Sequence, residues 1–233
     1  MADLILHYAP DNASLIIRLI LEEMGLPYDT CLVDRQAEAQ RGAAYLKLNP
    51  SGQIPALETP DGPISETAAI ALWLVDRHAM MGPAPSDADR GAFLKWLFFM
   101  SNTLQSGLRM TFYPEKYLGD TSADQALLRA HMQTVLAGHL QLLEHQAQAG
   151  HRWFGGAEVS VFDYYVACCL RWCALYPQVR PDWFELGAYP GLHRVVQNLE
   201  QRAATQAAQR AEGLGPTPFT APRLAKPPEG SAI

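Results

Sequence analysis

The segment at 48–70, LNPSGQIPALETPDGPISETAAI, constrains the fold more than any other part of the chain. Its NPSG run at 49–52 is rich in turn-forming residues, and Pro55 directly precedes an apolar pair. Because a proline donates no ladder hydrogen bond, it belongs at the first residue of a strand or at a sheet edge. The pattern therefore predicts a short strand after Pro55, with the backbone of Ile54 available to an extended guest.

A hairpin and a helix start complete this segment. The TPDG run at 59–62 predicts a turn, and the residues at 63–64 form the returning strand. The SET run at 65–67 then precedes an apolar stretch, which predicts a helix over 66–78 with Ser65 as its N-cap. The first N–H groups of a helix lack partners inside it, so this helix start favours a carboxylate.

Composition narrows the class of protein. A chain of 233 residues with 48% hydrophobic content can bury a large core, and we expect two small domains. A net charge of −6 with few basic clusters argues against nucleic acid or an anionic membrane as a partner. No apolar run is as long as a membrane span and the first residues do not resemble a signal peptide, so we expect a cytoplasmic protein.

Metal and redox motifs are missing from the sequence. The cysteines Cys31, Cys168, Cys169 and Cys173 lack CxxC spacing, so we expect buried thiols. The seven histidines lack ligand spacing, so no metal is expected. The GxSxG, HExxH, GxGxxG and P-loop motifs of other enzyme classes are also absent from the sequence.

Residues 1–81 predict a thioredoxin-like order, β-α-β-α-β-β-α. Ser14 is expected to cap the first helix, which Gly25 and Pro27 then end. The strands on either side of this helix form a β-α-β unit, so they should be parallel with a right-handed crossover. Besides the strands and helix of the 48–70 segment, strands are expected over 4–8 and 28–33, and helices over 14–24 and 40–46.

After a linker at 82–86, long helices replace short strands, which predicts an all-helical domain over 87–211. Capping boxes begin at Ser86, Ser122 and Ser160. The last of these, with Asp163, opens an apolar helix that we expect at the centre of this domain. Helices are predicted over 87–111, 123–148, 164–176 and 191–202, the last continuing toward 211.

The segment at 212–233 is too rich in proline and glycine for a helix or a sheet interior. Two interpretations stay open. The segment is either a disordered tail or an ordered extended arm that Phe219 and Leu224 anchor on the body.

The NPxGxIPxL run at 49–57 and the SET run resemble the glutathione-site signature of the cytosolic glutathione S-transferase family. The Ser160 and Asp163 box resembles one in that family's helical domain, and the likeness extends over about 4–202. It implies a bacterial detoxification enzyme, a two-fold homodimer, with a thioredoxin-like α/β domain followed by an all-α domain. It also implies a cis bond before Pro55, pairing of the Ile54 backbone with the cysteinyl part of glutathione, and Glu66 and Thr67 at the γ-glutamyl end.

Conjugation needs a thiolate, and a free thiol with a pKa of about 8.5 is mostly protonated at neutral pH. The family places an activating group just after the first strand. Here the position of the theta-like serine holds Asp11 and that of the beta-class cysteine holds Ala13, so the class is not assignable. The donors that remain are Ser14, which we place first because it opens a helix, then Asn12 and Tyr8.

The remaining site residues are expected around these. Gln53 is placed to reach the glycyl end of glutathione, and Arg41 or Lys47 to pair with its carboxylate. A hydrophobic electrophile is expected between the domains, against the first long helix. Its pocket is predicted from Trp96, Phe99, Asn102, Ser106, Met110, Phe112 and Tyr113.

These residues predict a glutathione transferase that uses glutathione as co-substrate, stabilises its thiolate and transfers it to a small hydrophobic electrophile. One alternative is glutathione-dependent disulfide or peroxide reduction, or isomerisation, at the same site. Another, from a different class, is a glutathione-binding or ligand-carrying protein with little catalysis, which the missing serine and cysteine favour. An enzyme should lower the pKa of bound glutathione, and a carrier should not.

Overall fold

A computed structural model describes residues 3–177 and 183–232 and confirms the thioredoxin-like domain followed by an all-helical domain. Residues 1–2, 178–182 and 233 lie outside the described residues. The predicted domains and the predicted C-terminal segment include these residues. The strands are β1 (Ile5–Tyr8), β2 (Asp29–Leu32), β3 (Ala56–Thr59) and β4 (Gly62–Ser65). The helices are α1 (Ser14–Met24), α2 (Ala43–Leu48), α3 (Thr67–His78), α4 (Arg90–Phe99), α5 (Ser106–Phe112), α6 (Glu115–Leu118), α7 (Ser122–Gln148), α8 (Val161–Leu175), α9 (Pro190–Glu200) and α10 (Ala203–Glu212).

The four strands form one mixed sheet in the order β2-β1-β3-β4. β1 and β2 are parallel, as the β-α-β pattern predicts, and the other two neighbouring pairs are antiparallel. His7 lies opposite Ala56 in the β1–β3 pair. Since β1 ends where β3 begins, the loop after β1 and the residue before β3 meet at one edge of the sheet.

Helix α1 lies in the core between the two domains. It is apolar around most of its girth and buried along nearly all its length, and it packs on β1, α3, α8 and α10. Gly25 ends it in the left-handed conformation (φ 66°), and the Leu26 N–H returns to the Leu21 carbonyl at 3.1 Å. Within the described ranges, no helix combines the length and apolar character needed to cross a bilayer.

Four expected serine caps are wrong, because none makes a capping hydrogen bond: Ser14, Ser65, Ser86 and Ser122. Helix α1 begins where predicted, α3 and α7 begin one residue away from the prediction, and α4 begins three residues late. Here the Asp87 carboxylate accepts the Asp89 N–H at 2.9 Å, which forms a local turn in place of a first helical turn. This side-chain-to-backbone hydrogen bond thus displaces the helix start that the Ser86 pattern predicts.

Three predicted helices are interrupted. The 87–111 helix is α4 and α5 joined by a π-helical segment, Met100–Gln105, across which the Ser106 hydroxyl donates to the Ser101 carbonyl at 3.0 Å. The 191–211 helix breaks between α9 and α10, where Arg202 is extended. The 40–46 helix is a 3₁₀ turn, Ala39–Arg41, followed by α2. The π-helical segment rotates the residues after it about the helix axis, and this changes which of them face the site described below.

The Ser160 box is confirmed. The Ser160 hydroxyl accepts the Phe162 and Asp163 N–H groups at 3.1 and 3.3 Å, while the Asp163 carboxylate accepts the Ser160 N–H at 2.7 Å. The Ser160 hydroxyl also donates to the Trp153 carbonyl at 2.7 Å, and Asp163 accepts the Gly155 N–H at 2.7 Å. The box therefore fixes both the start of α8 and the loop before it.

Ser160→Ala is expected to lower the free energy of unfolding by about 2 kcal/mol, because it removes a buried cap and a second hydrogen bond. Urea unfolding measures the change. Ser122→Ala is the matched control, since this serine opens α7 without capping it and should change stability by less than about 0.5 kcal/mol. Equal effects of the two substitutions would contradict the assignment.

The C-terminal segment is an ordered arm along the part that the structure describes, 213–232. Phe219 is buried, as predicted, and its N–H and that of Thr220 donate to the Glu200 carboxylate at 2.8 and 2.7 Å. Leu224 is 42% exposed, so its predicted anchoring role is wrong. Besides the buried Phe219, the arm is held by hydrogen bonds to a charged group, which a hydrophobic pattern does not reveal.

Candidate functional site

A cavity of about 800 Å³ lies between the two domains. The first domain lines it with the β1–α1 loop, the segment before β3 and the start of α3. The second domain lines it with the π-helical segment, α5, α6 and α8, and the arm reaches it at Ala232. Of the predicted glutathione-binding residues, six line this cavity: Arg41, Gln53, Ile54, Pro55, Glu66 and Thr67.

Two side-chain hydrogen bonds fix the turn before β3. Asn49 is buried, and its amide donates to the Gln53 carbonyl at 2.7 Å, as does the Tyr45 hydroxyl at 2.6 Å. The Ile54–Pro55 bond is cis, as the family resemblance implies. In the described part of the chain no partner takes up the Ile54 N–H, so this backbone group is available at the cavity edge.

Glu66 has an unusual backbone at the start of α3. Its φ of 71° and ψ of 113° lie outside the helical and extended regions, although it is not a glycine. Such conformations cost about 1–3 kcal/mol and cluster at functional sites. The Glu66 side chain makes no cap, Thr67 is buried beside it, and both border the cavity. The helix start thus combines a carboxylate, a hydroxyl and N–H groups free for an anion.

The three candidate thiol donors are placed differently. Tyr8 is buried, and its hydroxyl donates to the Glu229 carboxylate of the arm. Burial and this carboxylate raise the pKa of Tyr8 far above its ordinary value. Ser14 is fully buried, with its hydroxyl donating to the Ala9 carbonyl at 2.9 Å. Neither lines the cavity, whereas Asn12 does, so the first-placed candidate from the sequence is not brought to the site.

Asn12 presents an amide to the cavity. Its Oδ1 accepts the Ala13 N–H at 2.7 Å, which assigns the orientation of the amide. The Nδ2 group is then the donor that remains, and none of the residues that the structure describes accepts from it. The geometry therefore favours Asn12 among the three candidates.

The loop that carries Asn12 is held by a buried ion pair that the sequence reasoning missed. Arg171 of α8 contacts Asp11 through Nε–Oδ1 and Nη2–Oδ2, both at 2.8 Å, and both side chains are 0% exposed. The Trp172 indole N–H also donates to Asp11, at 3.0 Å. Asp11, at φ 49°, is thus locked in the left-handed region beside Asn12.

A second buried pair extends this network. The Asp11 N–H donates to Glu212 at 2.8 Å, and the Arg18 Nε donates to the same carboxylate at 2.7 Å. The Arg171 side chain also donates to the Pro218 carbonyl at 3.0 Å, which ties the arm to α8. The sequence signal was an arginine inside the apolar run of α8, because a buried charge requires a partner.

The structure divides the seven residues predicted for the second-substrate pocket into two groups. Asn102, Ser106, Phe112 and Tyr113 line the cavity, whereas Trp96, Phe99 and Met110 are not among its lining residues. Trp96 and Phe99 pack edge to face, with ring centroids 5.1 Å apart, and border a separate hollow of about 430 Å³. The π-helical segment changes the helix phase, so residues that seem to share a face do not.

Four cationic side chains line the cavity: Arg35, Arg41, Arg109 and Lys116. Arg109 Nη1 donates to Gln53 Oε1 at 2.7 Å, which links the two domains across the cavity. Arg41 pairs with Glu38 at 3.0 Å on the surface, and Lys47 is not among the lining residues. Sequence reasoning missed Arg35, Arg109 and Lys116, since basic residues at the protein surface are common and carry no motif.

The cysteines take no part in the cavity. Cys168, Cys169 and Cys173 are fully buried, as predicted, and burial raises the pKa of each thiol above its ordinary value. Cys31 is exposed on β2, so its predicted burial is wrong. None of the four is among the residues that line the cavity.

Comparisons with known proteins agree with this geometry. Residues 13–77 match the family model "Glutathione S-transferase, N-terminal domain". The chain is 26% identical to glutathione S-transferase GST-4.5 of Xanthomonas campestris pv. campestris, covering 90% of this chain and 98% of that protein. It is 27% identical to the disulfide-bond oxidoreductase YfcG of Escherichia coli, covering 90% and 96% respectively.

A sphingomonad glutathione S-transferase, solved in complex with glutathione, is 28% identical and superposes with a TM-score of 0.74, covering 91% of this chain and 100% of that one. The fold and the cavity at the domain junction define a two-domain protein of the thioredoxin-like class. Its N-terminal domain matches that of glutathione S-transferases, and over about nine tenths of its length the chain is similar to proteins of that family.

Proposed function

We propose that this protein binds glutathione in the interdomain cavity, stabilises its thiolate and transfers it to an electrophilic carbon. The observation that carries the proposal is that the Ile54 backbone, the start of α3 and Asn12 border one cavity. These groups match the three parts of glutathione that must be held: its peptide backbone, its charged amino-acid end and its thiol. We extend the proposal to a two-fold homodimer in the cytoplasm on the family resemblance alone.

The ends of glutathione are charged, and the cavity offers a complementary group for each. Glu66 accepts the γ-glutamyl ammonium, while the Thr67 hydroxyl and the first N–H groups of α3 receive the neighbouring carboxylate. The Ile54 backbone pairs with the cysteinyl residue. Gln53, already held by Arg109, lies where the glycyl carboxylate would reach the cationic side of the cavity.

In this proposal the thiol faces the Asn12 amide. Each unit by which the pKa of the bound thiol falls requires about 1.4 kcal/mol of preferential stabilisation of the thiolate. A hydrogen bond to an ionised group supplies about 1.5–3 kcal/mol, so one amide donor is sufficient. The thiolate then attacks the electrophilic carbon, and the leaving group departs with the bonding electron pair.

Asn12→Ala is expected to raise the pKa of the bound thiol by about one unit and to lower kcat/KM about tenfold below that pKa. The pH dependence of kcat/KM with 1-chloro-2,4-dinitrobenzene measures both. Asn198→Ala, an exposed asparagine on α9, is the matched control and should leave the profile unchanged. An unchanged profile in Asn12→Ala would rule out Asn12 as the donor.

A second candidate is glutathione-dependent disulfide reduction, which the similarity to YfcG favours. There the glutathione thiolate attacks a disulfide sulfur and the other sulfur leaves as a thiolate. Turnover of bis(2-hydroxyethyl) disulfide, together with negligible transfer to carbon electrophiles, would select this alternative. Tight binding of glutathione without turnover of either substrate would select a ligand-carrying protein.

A further inference from the structure

The charges that line the cavity do not balance. Its carboxylates are Asp11 and Glu66, and Asp11 is already paired with Arg171. Its cationic side chains include Arg35, Arg109 and Lys116. None of these three pairs with a carboxylate of the described residues. This excess of positive charge occurs in a chain whose net charge is −6, so it is a local feature of the cavity.

The excess is concentrated around Tyr113. The Arg35 Nη2 donates to the Tyr113 hydroxyl at 3.1 Å, and the Lys116 Nζ lies 4.2 Å from the centre of its ring. Partial burial lowers the pKa of the Lys116 ammonium, and the guanidinium groups of Arg109, Arg35 and Arg41 lower it further. The Glu115 carboxylate opposes this shift, but the net direction of the pKa shift is downward. Cations that repel one another at a cavity wall are stabilised when an anion binds between them.

Glutathione does not supply enough anions for this wall. Its ammonium and one carboxylate are assigned above to the start of α3, and its glycyl carboxylate to the Gln53 and Arg109 side. Among the described residues, Arg35 and Lys116 then form no ion pair. Arg35 Nη1 donates to the Ala232 carbonyl at 2.8 Å, and Lys116 has only the neighbouring Glu115 as a partial counter-charge. Next to them the cavity wall is aromatic, with Phe112, Trp172 and Tyr176 among its lining residues. The free part of the cavity therefore suits a flat apolar body that carries one negative charge.

We propose that the electrophile is an anion, an aromatic or unsaturated carboxylate whose carboxylate contacts Lys116 and Arg35 while its apolar part lies on the aromatic wall. The inference deepens the proposed function and rests on it. It replaces the hydrophobic electrophile that the sequence predicts with an amphipathic one. Lys116 and Arg35 become the residues that determine substrate specificity.

Two probes with the same reactive ring, one anionic and one neutral, test this. 4-Chloro-3-nitrobenzoate and its methyl ester share the ring and the leaving group. Their Kd values are measured calorimetrically on the whole protein saturated with S-methylglutathione, which cannot react. The acid is expected to bind about tenfold more tightly than the ester at low salt, and the ratio should fall as salt screens the contact. In turnover with glutathione, sulfur bonds to the ring carbon and chloride leaves with the electron pair of the C–Cl bond.

Lys116→Gln is expected to remove most of the preference for the acid, and Arg35→Gln part of it. Lys95→Gln is the matched control, because Lys95 also lies over an aromatic ring, 5.0 Å from that of Trp96, but outside the cavity. It should leave the ratio unchanged.

The outcomes separate the two claims. If neither glutathione nor S-methylglutathione binds, the proposed function fails and this inference fails with it. If S-methylglutathione binds, equal affinities for acid and ester overturn the inference alone. If Lys116→Gln weakens S-methylglutathione and leaves the acid-to-ester ratio unchanged, Lys116 holds the glycyl carboxylate, and the inference is again overturned.

Discussion

Arg171→Met is expected to lower the free energy of unfolding by about 3–5 kcal/mol, because it leaves the Asp11 carboxylate buried without its partner. The pair is bidentate and neither side chain is exposed to solvent. The substitution also removes the donors to two arm carbonyls, those of Pro218 and Arg223. Urea unfolding measures the loss, and faster proteolysis of the arm should accompany it.

Two further variants test the cause of this loss. Arg152→Met changes an arginine whose side chain is 81% exposed, and it should alter stability by less than about 0.5 kcal/mol. Combining Arg171→Met with Asp11→Asn should recover part of the loss, because the buried charge is gone and asparagine tolerates the left-handed backbone. A double variant as unstable as the sum of the two single ones would contradict the pairing.

Glu66→Gln is expected to weaken glutathione binding roughly 10- to 100-fold, since it removes a charge-assisted hydrogen bond worth about 1.5–3 kcal/mol. The substitution keeps the size of the side chain and removes only the charge that faces the γ-glutamyl ammonium. Isothermal titration with glutathione measures the change.

The matched control for this prediction is Glu158→Gln, an exposed glutamate that does not line the cavity. It should leave the affinity for glutathione unchanged. An unchanged affinity in Glu66→Gln would mean that the strained backbone at Glu66 serves another purpose, and the assignment of the γ-glutamyl end would be wrong.

Local chemistry was sufficient for much of the fold. Pro55, the hairpin after it and the Gly25 helix stop are each set by residues within a few positions, and the structure places them as the sequence predicts. The Ser160 box forms because its donors and acceptors lie within three residues of one another. The parallel β1–β2 pair follows from the β-α-β order alone.

The loop at the candidate thiol site was not predictable in this way. Ser14 has the sequence context of a cap, but its hydroxyl turns inward to Ala9. The loop before it is held by Arg171, 160 residues away from Asp11 in the chain. No short-range pattern encodes a contact of that span. The effect of the π-helical segment was not predictable for a related reason. Its widened turn changes the direction in which Asn102 and Ser106 face relative to Trp96, so those two residues line the cavity and Trp96 does not.

The most direct test is the ultraviolet absorbance of the thiolate of glutathione bound to the wild-type protein, titrated across neutral pH. The proposed function predicts a bound pKa at least about one unit below the ordinary thiol value of about 8.5. Glutathione that binds tightly and keeps the pKa of the free thiol would contradict thiolate stabilisation, and would make the protein a carrier of glutathione.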